Sequence, residues 1–201
     1  MNTFDTRAQN WDSDAERVSM AKTVADAMIT ALSFGTDSAV LDYGAGTGNV
    51  SFEIAKHAGR VIAADSSEGM LGVLKEKAAA SGVKNVTAVV FDAERQKWAA
   101  PPVTHIVSSM TLHHITDIRA VFSSFFAMLK SGGLIAIADL ASEDGSFHSD
   151  NTGVNHFGFE PGFLAEKLEE AGFKNAAVFS IYTAARNGRE YEIIMAKAEK
   201  P

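Results

Sequence analysis

The sequence predicts an α/β fold: a doubly wound, mostly parallel sheet of seven strands with helices on both faces and an antiparallel hairpin strand closing the C-terminus. Three observations predict it. Short β-rich runs alternate with stretches of helical spacing along almost the whole chain. The runs are nearly continuous in apolar residues, as strands covered on both faces must be. Glycines also stand where one such run turns directly into a helix, at Gly44, Gly46 and Gly48.

The elements follow in order. Val18, Val24, Met28, Ile29 and Leu32 recur at helical spacing, which predicts a helix over 18–33 that ends near Gly35. A strand over 39–43 stops at Gly44, and helical spacing resumes over 47–58 with Val50, Ile54 and Ala55 on one side. The unit repeats as a strand over 60–64 and a helix over 67–80, then as a strand over 86–91 and a connection through Trp98 and Pro101-Pro102. A strand over 103–109 feeds a helix over 117–129, and the Gly132-Gly133 turn leads into a strand over 134–139. Residues 141–160 are polar and read as a loop. Pro161 opens a helix over 161–171, where its missing N–H costs nothing. Strands over 174–180 and 190–198, joined through Asn187-Gly188, end the chain as a hairpin. Right-handed crossovers put helices on both faces of such a sheet, and ligands bind beyond the carboxyl ends of its strands where the strand order reverses.

Composition narrows the function. A length of 201 residues suits one domain spanning 1–201. A formal charge of −7 offers no basic footprint for a phosphate backbone, so a small-molecule partner is expected and nucleic acid is not. With no cysteine, the chain has no disulfides, thiol nucleophiles or thiolate metal sites, and it suits the reducing cytoplasm. The polar, acidic start MNTFDTRAQNWDSD lacks the basic and apolar stretches of an export signal. Apolar runs such as LIAIA fall far short of the roughly 20 residues of a spanning helix, so no membrane insertion is expected.

The strongest chemical signal is Val40-Leu41-Asp42-Tyr43-Gly44-Ala45-Gly46-Thr47-Gly48-Asn49. Glycines lack a β-carbon, so this turn can take positive φ and let a ligand approach the main chain. The pattern is G-x-G-x-G; a dinucleotide fingerprint would need glycine where Asn49 stands. Asp42 suits a ligand's ammonium and repels phosphate. Asp65 ends the next strand about twenty residues on, where a carboxylate accepts from both ribose hydroxyls. Phe91-Asp92-Ala93 follows the third strand, where Asp92 can accept from an exocyclic amine between apolar neighbours. Together these describe an adenosine site.

The successive stretches VLDYGAGTGN, VIAADSSEGM, FDAE, IVSSMTLHHI and LKSGGLIAIADL resemble, in order and over most of the chain, the motifs of class I S-adenosylmethionine-dependent methyltransferases. Within them the chain is most similar to the small-molecule methyltransferases related to ubiquinone and menaquinone biosynthesis enzymes. The resemblance implies a Rossmann-like core over 36–201 and an N-terminal helical lid segment over 1–35. It implies that Asp42 and the backbone of Gly44, Ala45, Gly46 and Gly48 hold the methionine moiety of S-adenosylmethionine, and Asp65, with Ser66 beside it, the ribose. Met70 and Ala93 would face the adenine, Asp92 would take its amino group, and Ser109 and Met110 would border the methyl donor. Phe4-Asp5 and Trp11-Asp12 look like the part of the lid that folds over the cofactor.

His113 and His114 follow the fourth strand and can serve as a general base, against a packing or capping role. In the long loop, His148 and His156, with Asp139 or Asp150, can line the acceptor pocket, and Phe147, Phe157, Phe159 and Phe163 can wall it, although phenylalanines near a helix start more often fill a core. No metal is expected, because the carboxylate cluster of a magnesium-dependent catechol methyltransferase is missing. Thr104-His105 stands where such enzymes often carry Asp, and is read as structural. Ser108-Ser109-Met110-Thr111 replaces the N-P-P-Y or D-P-P-Y sequence used for amino groups of bases or glutamine. The expected chemistry is in-line attack on the sulfonium methyl by an oxygen, carbon or nitrogen nucleophile of a small molecule, with a base such as His113, His114 or His148 needed only for a neutral hydroxyl. The alternatives are a regulatory protein that binds S-adenosylmethionine without turnover, and a nicotinamide-dependent dehydrogenase.

Overall fold

A computed structural model describes residues 4–186 and 188–201. Its centre is a seven-stranded sheet of order β3-β2-β1-β4-β5-β7-β6. The strands are β1 (Ala39–Tyr43), β2 (Arg60–Asp65), β3 (Val86–Val90), β4 (Val103–Ser109), β5 (Leu129–Leu140), β6 (Lys174–Arg186) and β7 (Arg189–Glu199). The helices are α1 (Ala15–Leu32), α2 (Asn49–Ala55), α3 (Glu68–Ser81), α4 (Ile118–Met128) and α5 (Pro161–Glu170), with a 3₁₀ turn over Ala8–Ser13. β1 to β5 pair in parallel, and β7 slots antiparallel between β5 and β6. The predicted fold is therefore the observed one.

All five residues of β1 are buried, and their alternation divides the core. Leu41 and Tyr43 join Ile106, Phe122, Phe125 and Phe173 on one face, while Val40 joins Val24, Met28, Ile54, Val107 and Ile193 on the other. Each such fully buried apolar side chain contributes about 1.5–3 kcal/mol, and the two layers lock α4 and α5 to one face and α1 and α2 to the other. α1 is thus part of the core. Thr104, beside His105, proves structural: its hydroxyl accepts from the Ala39 N–H (2.9 Å) and donates to the Ala39 carbonyl (3.0 Å), tying β4 to β1.

Element ends differ from the sequence reading where tertiary partners decide them. α1 begins at Ala15 rather than near 18, because the Asp14 carboxylate caps the Arg17 N–H (3.1 Å). β5 begins at Leu129, before the glycine pair, since Leu129 pairs with Val103 and Gly132 and Gly133 exchange backbone hydrogen bonds with Lys200. β6 runs on to Arg186 instead of stopping at 180, because β7 pairs with it as far as Arg189, across an irregularity between Ser180 and Tyr182. Of the predicted Asn187-Gly188 turn, Asn187 lies outside the described residues and Gly188 has φ 74°. The strand order reverses between β1 and β4, so the segments leaving their carboxyl ends diverge and open a crevice.

Candidate functional site

The chain leaves β1 through three left-handed glycines: Gly44 at φ 73°, Gly46 at 54° and Gly48 at 87°. The Gly44 and Ala45 N–H groups both donate to the Ala64 carbonyl (2.8 and 3.0 Å), fastening the turn to the end of β2. A β-carbon on Gly44 would stand 2.1 Å from the Thr111 hydroxyl, whereas one on Gly46 would meet nothing within 4 Å among the described residues. The bend is therefore packed at its first glycine and open at its second. Asp65 meets it there: one carboxylate oxygen accepts the Gly46 N–H (2.8 Å) and the other the Ser67 N–H (2.8 Å). Burial pushes the Asp65 carboxyl upward against those hydrogen bonds. With the Ser66 N–H also acting on it, the carboxylate keeps lone-pair capacity for a further hydroxyl donor.

Asp42 lies one pleat inside the turn and is 1% exposed. Burial drives its carboxyl up to about 7, against the hydrogen bond donated by Ser51 (2.5 Å) and with a small addition from the charge of Asp65. A carboxylate that dry at a cavity wall fits a cationic ligand group, which would restore the charge compensation that water no longer supplies.

That cavity has a volume of about 510 Å³, within the range of roughly 300–1,000 Å³ usual for small-molecule sites. Asp42, Gly44, Ala45, Gly46, Ser109 and Met110 line it on the glycine-turn side. Met110 is left-handed (φ 52°), a strained conformation for a side chain this size, and its N–H is held by the Ala138 carbonyl (2.8 Å). His113, His114, His148 and Phe147 continue the lining, as do Phe4 and Trp11 of the N-terminal segment.

The histidines form a cluster, with ring centres 4.1 Å apart for His113 and His114 and 5.0 Å for His113 and His148. His113 is buried, and its Nδ1 lies 2.6 Å from the Asp139 carboxylate. Burial alone would raise the Asp139 carboxyl, but the charge and hydrogen bonds of His113 hold it below its usual value. The Nε2 atoms of His113 and His148 are buried without a hydrogen-bond partner among the described residues. Burial, then the positive potential of His113, depresses both His114 and His148 to about 4; Arg186 also acts on His148. The His114 Nδ1 is engaged by the Gly153 carbonyl (2.7 Å). Among the described residues, no group of three or more such side chains is placed to hold a metal ion, and no helix is long and apolar enough to cross a membrane.

The remaining predicted residues lie outside this cavity. Met70 is buried in α3, and the Ala93 N–H contacts the Tyr43 hydroxyl (3.3 Å). Asp92 accepts the Glu94 N–H (2.9 Å) and pairs with Arg95 (3.4 Å), while Ser66 is exposed beside Asp65. His156 turns away: its Nε2 bonds the Ile115 carbonyl (2.9 Å) and its ring packs on Phe159. Of the four phenylalanines proposed as a wall only Phe147 reaches the cavity; Phe159 is core, and Phe157 and Phe163 are exposed.

Sequence reading missed what fastens the N-terminal segment. The Asp5 carboxylate accepts from the Ser67 hydroxyl (2.6 Å) and the Gly69 N–H (3.0 Å). Asp12 accepts from Thr47 (2.7 Å), Asn49 (2.8 Å) and Lys77 (2.6 Å), which hold it below its usual value although burial opposes them. Also missed were three arginines on the cavity wall, Arg7, Arg17 and Arg186, because isolated arginines in sequence carry no signal of convergence.

Residues 40–133 match the family described as methyltransferase domain. The demethylmenaquinone methyltransferase of Thermobifida fusca is 30% identical over 57% of this chain and 49% of its own. The chain spans about half the length of the curated relatives it matches. Among solved structures, the Haemonchus contortus phosphoethanolamine N-methyltransferase 2 in complex with S-adenosyl-L-methionine superposes with a TM-score of 0.70 at 19% identity, over 84% of this chain and 50% of that one. A chain of the Haloferax volcanii complex between the Trm112 methyltransferase activator and a methyltransferase superposes with a TM-score of 0.83 at 17% identity, over 100% of this chain and 99% of that one.

Proposed function

We propose that this chain, which carries a methyltransferase domain over residues 40–133 and is homologous to S-adenosylmethionine-dependent methyltransferases, transfers a methyl group from S-adenosylmethionine to a small-molecule acceptor. One observation carries the reading: a single cavity joins the glycine turn and the dry carboxylate of Asp42 to the buried His113–Asp139 pair. When bound, S-adenosylmethionine supplies a methyl group on a positively charged sulfur, open to displacement by an electron pair in line with the departing sulfur.

The protein's own residues do the rest. Asp42 accepts from the amino-acid ammonium, and the open side of Gly46 lets the ligand lie against the backbone. Asp65, oriented by the Gly46 and Ser67 N–H groups, accepts from the ribose hydroxyls. Met70, Asp92 and Ala93 serve the adenine end, and Asp5 and Asp12 pin the 4–14 segment across the site so that water is excluded. His113 acts on a hydroxyl acceptor. Asp139 takes its Nδ1–H, which leaves the Nε2 lone pair to receive the acceptor's proton, and the same carboxylate then stabilises the imidazolium.

S-adenosylhomocysteine should raise the unfolding temperature of the protein and NAD should not, since only a true ligand stabilises by mass action. A shift with NAD alone refutes the proposal. With an acceptor in hand, His113→Gln should lower kcat about 100-fold or more with unchanged S-adenosylhomocysteine affinity, in the range of general-base losses.

A further inference from the structure

The cavity wall gathers more basic than acidic side chains, three arginines against Asp42 and Asp150, on a protein whose formal charge is −7. Two of the arginines have counterions. Arg7 pairs with Asp150 (3.1 Å). Arg17 pairs with Asp14 (3.3 Å), donates to the Trp11 carbonyl (2.8 Å) and lies over the Trp11 ring. Arg186, at the end of β6, is different. It is half-buried with its guanidinium 5.0 Å from the centre of the Phe147 ring, and no ion pair to a described carboxylate engages it. Asp14, Arg17 and His148 feel its charge, and Asp14, the negative one of the three, is already engaged by Arg17.

A half-buried guanidinium with no ion pair to a described carboxylate gains a charge-assisted contact if a ligand brings the anion. Its planar fork of N–H donors matches a carboxylate or a phosphate in a two-point contact, and the ring of Phe147 fixes the plane of that fork. Phe147, Phe4 and Trp11 add aromatic surface to the same cavity. In the proposed reading the donor's ammonium meets Asp42 at the glycine turn. Arg186 stands instead with Phe147 and His148, on the segments that follow β5 and form β6.

We infer that Arg186 anchors an anionic group, a carboxylate or phosphate, on an acceptor with an apolar body; the inference rests on the methyltransferase reading of the cavity.

The test is calorimetry on the full chain, with and without S-adenosylhomocysteine, using 3-phenylpropanoate, its neutral amide and phenyl phosphate as probes. An anion should bind at least about ten-fold tighter than the amide, as charge-assisted pairing implies, and whichever anion binds more tightly assigns the group. Arg186→Gln should abolish that preference and leave S-adenosylhomocysteine affinity unchanged. Arg189→Gln, which removes an equal charge from an exposed pair with Asp144, should leave the preference intact. The inference is overturned if no anion is preferred, including the case in which no probe binds, if Arg186→Gln keeps the preference, or if Arg186→Gln weakens S-adenosylhomocysteine, which would assign the guanidinium to the donor's own carboxylate. Failure of S-adenosylhomocysteine to bind the wild type defeats the methyltransferase reading instead, and the probes measured without it still decide the arginine.

Discussion

Replacing Asp42 with Asn should make the protein more stable and a worse binder, by an amount that depends on pH in a calculable way. The carboxyl is raised from 3.8 to about 7 mainly by burial. A carboxyl raised on folding costs nothing below the unfolded value, where both states are protonated. As pH climbs from about 4 to about 7 the unfolded chain loses this proton and the folded chain keeps it, so stability falls; above about 7 the full cost is present. At about 1.4 kcal/mol for each pH unit, wild type forfeits about 4 kcal/mol at pH 8 and about 1 kcal/mol at pH 4.5. Asn fills the same volume and can still accept from Ser51, so Asp42→Asn should exceed wild type in stability by an amount that grows about 3 kcal/mol between those pH values. Urea unfolding of both proteins at pH 4.5 and 8 measures the difference and cancels the titration of every other group. S-adenosylhomocysteine affinity should fall about ten-fold or more in the variant, because the charge opposite the ligand's ammonium is gone. A stability difference that is flat, or that shrinks as pH rises, would refute the reasoning.

The two glycines of the turn should separate folding from binding. Gly44→Ala drives a β-carbon into the stiff, branched Thr111 side chain and should cost about 2–5 kcal/mol in urea unfolding. Gly46→Ala, with nothing to strike, should cost only about 1–2 kcal/mol from its left-handed backbone, yet weaken S-adenosylhomocysteine in calorimetry because the new methyl enters the ligand's space. His114 and His148 are held neutral down to about 4, so their share of stability should be present above 6.5 and lost as pH falls from there toward 4. Replacing both with Gln should flatten the acid limb of the unfolding profile over that window. Asp12→Ala removes the contacts to Thr47, Asn49 and Lys77, so limited proteolysis should cut within residues 4–14 sooner while the core persists.

The fold was legible because parallel strands buried on both faces announce themselves: Ala39–Tyr43 is apolar on both sides of the sheet but for Asp42, and the glycines after it cannot serve a continuing strand. The glycine turn and Asp65 were legible as neighbours for the same reason, since pairing Tyr43 with Ala64 sets the ends of β1 and β2 side by side. The anchors of the N-terminal segment were not. Asp5 and Asp12 look like solvent-facing acids in a polar segment, and what distinguishes them is the set of donors on α2 and α3 that they meet, which no periodicity in the 4–14 stretch encodes.

The His113–Asp139 pair shows how a site can be half-written in sequence. His113 was singled out because it follows β4, and Asp139 as a partner of His148 or His156 at the acceptor pocket, never as the partner of His113. What unites them is register. Ser109 pairs with Ala138 in the parallel β4–β5 ladder, and the Met110 N–H then binds the Ala138 carbonyl, so the turn after β4 is delivered to Asp139, the residue after Ala138. There the carboxylate accepts both the His113 N–H (3.3 Å) and its ring. In a doubly wound sheet, titratable residues just past the ends of adjacent parallel strands are therefore candidates for contact however far apart they lie in sequence, and Asp139→Asn isolates that contact. Asn carries no charge to hold the imidazolium, so the variant should lose kcat nearly as severely as His113→Gln while S-adenosylhomocysteine affinity holds, and an unaltered kcat would reduce Asp139 to a packing residue.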